Sequence, residues 1–297
     1  MKVALFGGTG FVGSYIVDQL IDSGHKPRLL VREGSDNKIQ SLESCEIIYG
    51  DISDEKAIRE VIDGSDAVIY SIGLIREFKS KGITFENTQF EGVVRCIEAA
   101  LGLNVKRFIL MSANGVKLNG TGYQTFKFQA EKYLRASVLN WTIFQPSVIF
   151  GDSSGLMEFC SQLKKDMLNL PFPAPLFFDG IIPLNAGNFS MSPIHVSDVA
   201  KCFVNAISND KSNFQTYQLG GSKDYNWKET IRIISKSYGK NKWAIPAPVL
   251  PIKLVALLFD QFPWFPISRD QLTMLLEGNT CNSDKAYKDF QFQPIDF

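Results

Sequence analysis

The chain is 297 residues long and 45% hydrophobic, which suits one large domain, or one domain plus a smaller lobe, around a substantial buried core. Lys plus Arg balances Asp plus Glu at 31 each and no basic stripe appears, so the composition argues against nucleic-acid binding. Five scattered cysteines without a Cys-x-x-Cys pair, and only two histidines, leave no clustered ligand set for a metal and suit a reducing compartment, the cytoplasm or an organellar matrix.

Residues 3 to 13 read Val-Ala-Leu-Phe-Gly-Gly-Thr-Gly-Phe-Val-Gly: an apolar strand running straight into Gly7, Gly10 and Gly13, then a helix with Val12, Ile16, Val17 and Leu20 on one face. Gly7 permits the tight turn and Gly10 lets the backbone approach a pyrophosphate. Gly13 lets the helix pack closely, and the helix N-terminus offers free N–H groups. Gly7, Thr9, Gly10, Phe11 and Val12 are therefore expected to cradle a dinucleotide. The strand begins at residue 2, so no signal peptide is expected ahead of it; a transit peptide already removed would leave no trace.

Strands at Pro27 to Val31 and Glu46 to Tyr49, a helix at Glu55 to Ile62, a strand at Ala67 to Ser71 and a helix at Glu86 to Leu101 follow. Next come a strand at Arg107 to Met111, a helix at about Tyr123 to Ala136 and a strand at Trp141 to Phe144. This alternation predicts an α/β fold, a Rossmann-type doubly wound parallel sheet with helices on both faces. Residues 1–152 would form the nucleotide-binding domain, completed by about 190–222, and residues 153–297 a smaller interleaved lobe. Leu170 to Pro183, rich in Pro and Phe, reads as an irregular loop over a cavity. His195 reads as structural and Asp198 as the cap of the helix after it, before a strand near Tyr217 to Leu219 and a helix at Trp227 to Ser237.

In such a sheet the cofactor lies across the carboxyl ends of the strands. Where an NAD site places an acid at the end of strand two, this chain has Arg32, which suits a 2′-phosphate and favours NADP(H); Glu33 beside it keeps NAD(H) open. Asp51, with Ile52, follows strand three and is placed for the adenine, or else for a turn. Ser71, Ile72 and Gly73 would line the adenosine and ribose, and Pro146, Ser147 and Val148 would border the nicotinamide. Tyr123 and Lys127, four apart, share one helix face. A neighbouring ammonium lowers a phenol's pKa, which would fit Tyr123 for acid/base work while Lys127 holds the ribose.

The glycine turn, Gly50-Asp51 and Tyr123-x-x-x-Lys127 together resemble the short-chain dehydrogenase/reductase superfamily, in its extended and atypical branches. Gly73-Leu74-Ile75-Arg76-Glu77, Met111-Ser112-Ala113, Trp141 to Gly151, Pro193 to Ala200 and Ser268-Arg269-Asp270-Gln271-Leu272 resemble the branch that includes the NADPH-binding accessory subunit of respiratory complex I and its bacterial relatives. The resemblance runs over nearly the whole chain. It implies an NADP(H) cofactor and a catalytic set of Tyr123, Lys127 and a hydroxyl donor. That donor is where the chain departs: its position falls on Ala113, with Ser112 one residue early and Asn114 a substitute at most. Gln89 and Gln145 replace the Asn and Arg common in the extended branch.

Ala244 to Ile267 carries only Lys253 and Asp260 as formal charges, and its prolines exclude a spanning helix of roughly 20 residues. Ile252 to Phe262 reads either as a helix buried against the lobe or, with the stretch to Phe265, as a surface docking on a membrane or a membrane-protein complex. Phe290, Phe292 and Phe297 add apolar contact at the end. Two functions follow. One is an NADP(H)-dependent reductase or epimerase acting on a small apolar carbonyl compound. The other is a non-catalytic NADPH-binding accessory or assembly factor of a membrane complex such as respiratory complex I.

Overall fold

The predicted strands are near-continuous apolar runs, and a sheet so built must bury both faces under helices. The structure is a computed structural model describing residues 1–39, 41–79, 82–156, 158–259 and 267–297. Its first half alternates as expected: β1 (Lys2–Phe6), α1 (Phe11–Asp22), β2 (Lys26–Val31), β3 (Glu46–Tyr49), α2 (Glu55–Ile62), β4 (Ala67–Tyr70), α3 (Gly92–Gly102), β5 (Arg107–Met111), α4 (Gly122–Ala136) and β6 (Asn140–Pro146). The second half holds β7 (Ile149–Phe150), α5 (Phe159–Leu163), β8 (Ala174–Phe178), β9 (Ser190–Met191), β10 (Ile194–His195), α6 (Val196–Ala206) and β11 (Gln215–Leu219). After these come β12 (Tyr225–Asn226), α7 (Trp227–Ser237), β13 (Ala244–Pro248), α8 (Val249–Phe259), α9 (Arg269–Glu277) and α10 (Asp284–Phe290).

The main sheet has seven strands in the order β11-β6-β5-β4-β1-β2-β3, and every pairing in it is parallel. Val3, Leu5, Leu29 and Ile109 face α1, α6 and α10, where Ile16, Leu20, Phe203 and Phe290 close one core. Ala4, Phe6, Val68 and Phe108 face the other way onto Ile58, Val93, Ile97 and Leu134. Each fully buried side chain of this size contributes roughly 1.5–3 kcal/mol, so the two layers hold the sheet edge rigid for the site above it. A third core around Trp227, with Leu176, Ile231, Val249 and Leu272, forms the smaller lobe.

Several expectations change. The helix read as continuous from Glu86 begins with a wider π-type turn, Glu86–Glu91, where Tyr70 Oη donates to Thr88 O at 2.5 Å and draws that carbonyl out of the helical ladder. Leu170 to Pro183 is not simply irregular. It contains β8, paired in parallel with β13 from Ala174↔Ala244 to Pro248↔Phe178. This ribbon has only two strands, so a proline costs no central ladder bond. Asp198 does not cap α6. His195 does, its Nδ1 accepting from Ser197 N at 3.2 Å, while Asp198 Oδ2 accepts from Ile295 N at 2.8 Å. The terminal phenylalanines are used inside the molecule: Phe290 sits 5.5 Å from Phe144, Phe292 stacks edgewise on Tyr287 and Phe297 on Phe150.

Within α8 one side is buried and another is exposed. Val249 and Ala256 are buried against the lobe, while Leu250, Leu254 and Leu258, one row four residues apart, are exposed at 67%, 57% and 65%. Residues 260–266, over which the predicted docking stretch extends, lie outside the described residues. Among the described residues no helix is long and apolar enough to cross a membrane.

Candidate functional site

Since every strand pairing in the sheet is parallel, the segments leaving β1, β2, β3, β4, β5 and β6 emerge at one edge, and the predicted site residues lie on them, at the start of α1, at the end of β6 or on α4. Gly7 adopts φ +100°, and a Cβ there would stand 2.9 Å from Ser71 Oγ and 3.0 Å from Ile72 N. At Gly13 a Cβ would fall 2.0 Å from Gly7 O, so only hydrogen fits where α1 crosses the turn. Gly10, exposed, is the N-cap of α1 and supplies no side-chain cap, leaving the first-turn N–H groups available for an anion. A cradle that a Cβ would fill, at an uncapped helix N-terminus, fits a pyrophosphate.

Around it, Arg32 is exposed at the end of β2. Asp51 is exposed, but its Oδ1 accepts from Ser53 N at 3.1 Å and Ser53 Oγ at 2.9 Å, a turn into α2 whose N-cap is Asp54. Ile52 is buried beneath and offers backbone only. Ser71 Oγ donates to Phe6 O at 2.9 Å, with Ile72 half-buried and Gly73 exposed beyond it. At the end of β6 and just beyond it, Pro146 and Ser147 are buried and Val148 half-buried. Ser147 Oγ is committed to Asn279 O at 2.6 Å.

The helix that carries the acid/base pair is fixed by a capping box, Thr121 with Gln124. Tyr123 and Lys127 do lie together on it, Lys127 Nζ 5.5 Å from the Tyr123 ring centroid. That ammonium donates to Met111 O at 2.8 Å. Burial pushes Lys127 down to about 7, against the opposing pull of Glu131 one turn on. The expected acidification of Tyr123 is not found: desolvation raises its pKa, since removal from water disfavours the phenolate. Phe85 packs edgewise on its ring at 5.7 Å. Ser112 is 3% exposed, with its Oγ unpaired among the described residues, as is Gln89 Oε1.

A strap from the end of the chain closes the far side. Glu277 on α9 binds Lys117 Nζ at 2.7 Å and Gln124 Nε2 at 2.8 Å. Burial alone would raise its pKa, but these two bonds hold it below the usual value. Asp270 Oδ2 accepts from Gly122 N at 3.2 Å, one residue before Tyr123. Asn114, the substitute hydroxyl donor considered above, spends its amide on Asn279 Oδ1 at 2.7 Å and Thr280 O at 3.0 Å, and accepts from Gln218. The cleft of about 560 Å³ at this junction is lined by Asn114 to Lys117 and Glu277 to Thr280, and it includes neither Tyr123 nor Lys127.

Residues 7–165, more than half of the chain, match the family described as NAD(P)H-binding. The chain belongs to this family. It is an NAD(P)H-binding chain that is similar to complex I subunits and photosystem II assembly factors. The 40 kDa subunit of NADH-ubiquinone oxidoreductase of Neurospora crassa is 25% identical over 98% of this chain and 75% of its own length. The photosystem II assembly factor Ycf39 of Synechocystis is 25% identical over 99% of this chain and 86% of its own. In fold it resembles UDP-glucose 4-epimerase of Bifidobacterium longum, at a TM-score of 0.74 and 19% identity over 100% of this chain and 94% of that one.

For this NAD(P)H-binding chain, sequence reasoning missed Phe85 over Tyr123 and the clamp of Asp270, Glu277 and Asn279. One signal was present: Ser268 and Gln271 have capping-box spacing, which starts α9 and puts Asp270 in its first turn. Nothing local tied that turn to Gly122, 148 residues away in sequence.

Proposed function

We propose that the chain holds NADP(H) as a resident ligand and serves a membrane-protein complex as an accessory or assembly component without appreciable turnover. Gly7 to Val12 would seat the pyrophosphate, Arg32 the 2′-phosphate, Asp51 and Ser71 to Gly73 the adenosine side, and Lys127 the nicotinamide ribose. Bound, the nicotinamide would supply a hydride. The observation that carries the non-catalytic reading is the missing hydroxyl: Ala113 stands at the donor position, and Ser112 beside it is 3% exposed. A Tyr123 raised by burial and the strap fastened to Gly122 support the same reading. So do the exposed row on α8 and relatives whose names are those of a complex subunit and an assembly factor. The reductase reading keeps one observation in its favour, the retained Tyr123–Lys127 pair on α4.

The deciding experiment purifies the native protein, releases its nucleotide and follows exchange and oxidation. Stoichiometric NADP(H) that neither exchanges nor oxidises over hours is the expected result, and Tyr123→Phe should leave nucleotide content unchanged. Free exchange with turnover of apolar carbonyl compounds, lost in Tyr123→Phe, would establish the reductase instead. The docking role has its own test. Leu254→Asp with Leu258→Asp changes two exposed side chains, so stability should move by no more than about 0.5 kcal/mol each. Recovery of the protein with the membrane fraction should fall several-fold, and unchanged recovery would remove α8 from the docking surface.

A further inference from the structure

Two segments distant in sequence meet at one end of the β8–β13 ribbon. Ala174 N donates to Trp243 O at 2.9 Å, so the chain entering β8 runs beside the chain entering β13. Lys242 Nζ donates to Leu170 O at 2.5 Å and Lys240 Nζ to Asn169 Oδ1 at 2.5 Å, which fastens the segment 168–172 across that end. Both segments then turn apolar side chains to water. Phe172 is exposed at 68% and Trp243 at 64%, and Leu170 and Ile245 are exposed beside them. Trp243 and Ile245 share one face of their strand, since successive side chains alternate. Aromatic rings left this open, in one contiguous patch, mark a contact surface.

The charge around the patch has one sign. Residues 230–259 carry Arg232, Lys236, Lys240, Lys242 and Lys253 and no carboxylate, in a chain whose charges balance at 31 each. The facing segment 159–178 adds Lys164 and Lys165 against Asp166 alone. None of these cations forms an ion pair among the described residues. Lys164 Nζ sits over the ring of Tyr238, 4.0 Å from its centre, where α7 ends. Desolvation and the neighbouring charge of Lys240 both lower the pKa of Lys242, so two ammoniums repel each other with no carboxylate to separate them. An anion placed against them relieves that repulsion.

We propose that this end of the lobe, Trp243 and Phe172 ringed by Lys240, Lys242 and Lys164, seats on the anionic headgroups of a lipid bilayer. The inference rests on reading the chain as a component that works at a membrane, and it names lipid as a partner beside the complex. Lysine is depleted in protein interfaces, whereas a bilayer surface suits it. Apolar side chains enter the headgroup boundary while flexible ammoniums reach the phosphates. Tryptophan suits that boundary too, because its ring is apolar and its indole N–H is polar. Each lysine near an anionic leaflet adds about fivefold to partitioning, and salt screens the gain.

The test is sedimentation of the full-length protein with vesicles, of phosphatidylcholine alone or of phosphatidylcholine and phosphatidylglycerol in equal parts. Wild type should sediment with the mixed vesicles, stay in solution with phosphatidylcholine alone, and be released by high salt. Lys240→Gln with Lys242→Gln leaves a donor at each position and removes two charges, so partitioning should fall about 25-fold. Trp243→Ala, at an exposed position, should weaken partitioning while leaving Tm and the salt dependence as they are. Absence of binding to either vesicle, equal binding to both, or variants that sediment like wild type each overturn the lipid face. Should vesicle binding be absent while the protein is still recovered with the membrane fraction, the partner is a protein and the accessory reading stands. Vesicle binding without recovery in the membrane fraction sinks the accessory reading and leaves the lipid face in place.

Discussion

Gly13→Ala is expected to destabilise the protein by about 3 kcal/mol and to lower its Tm by roughly 5–10 °C. The added Cβ would stand 2.0 Å from Gly7 O, 2.7 Å from Gly7 C and 2.9 Å from Gly8 Cα, all backbone atoms. No rotamer change relieves a clash with a main chain. Relief requires α1 to lift from the sheet, and α1 carries Ile16, Val17 and Leu20 into the core. Gly10→Ala makes the contrast. Its Cβ would meet only Gly7 O, at 3.3 Å, so the fold should hold while the close approach of a pyrophosphate is blocked. Thermal melting and nucleotide content measured on both variants separate the two roles. Equal Tm for Gly13→Ala and wild type would show that the turn is not packed as described.

Removal of Lys127 should have the next largest effect, at about 2–3 kcal/mol for Lys127→Ala together with loss of bound nucleotide. The side chain is 3% exposed, and its ammonium satisfies Met111 O at 2.8 Å, so alanine leaves a buried carbonyl unpaired and a cavity beside it. Lys127→Met restores most of the volume but not the bond. pH distinguishes the charge from the packing. In the folded chain burial lowers Lys127 from 10.5 to about 7, so above pH 7 the unfolded state binds more protons than the folded one. Stability from this group therefore rises with pH between about 7 and 10.5, by roughly 1 kcal/mol per pH unit near its upper limit. Denaturant melts at pH 7 and 9 should show the rise in wild type and its absence in Lys127→Met. The same slope in both proteins would place the titration on another group.

The half-buried Tyr123 and the buried Lys127 bear on function through electrostatics. Spacing alone suggested a cation lowering the pKa of a phenol, as in an acid/base pair. In the fold both groups are taken out of water, which disfavours the phenolate and the ammonium alike, and Lys127 is engaged by Met111 O. Desolvation thereby holds the tyrosine in the neutral form. That is consistent with a ligand-holding role for the crevice.

The sequence by itself determined the sheet and its site edge, because both depend on local order. Short apolar strands alternating with period-3.6 helices admit a parallel sheet with right-handed crossovers, and that topology delivers Gly7, Arg32, Asp51, Ser71, Ser112 and Pro146 to one edge. Glycines at 7 and 13 were legible for the same reason, since a strand-to-helix turn leaves few alternatives to hydrogen at those points. Tertiary structure alone decided what packs against that edge. Phe85 on Tyr123, Glu277 on Lys117 and Gln124, Asp270 on Gly122, and Asn279 on Asn114 and Ser147 join residues far apart in the chain. Such contacts are selected by the shape left between two finished units, and no periodicity encodes them. The same holds for α8, whose apolar pattern left burial against the lobe and an exposed docking surface both open. Only the packed lobe shows that Val249 and Ala256 fill its core while Leu250, Leu254 and Leu258 remain outside, because a lobe of this size covers one side of an eleven-residue helix.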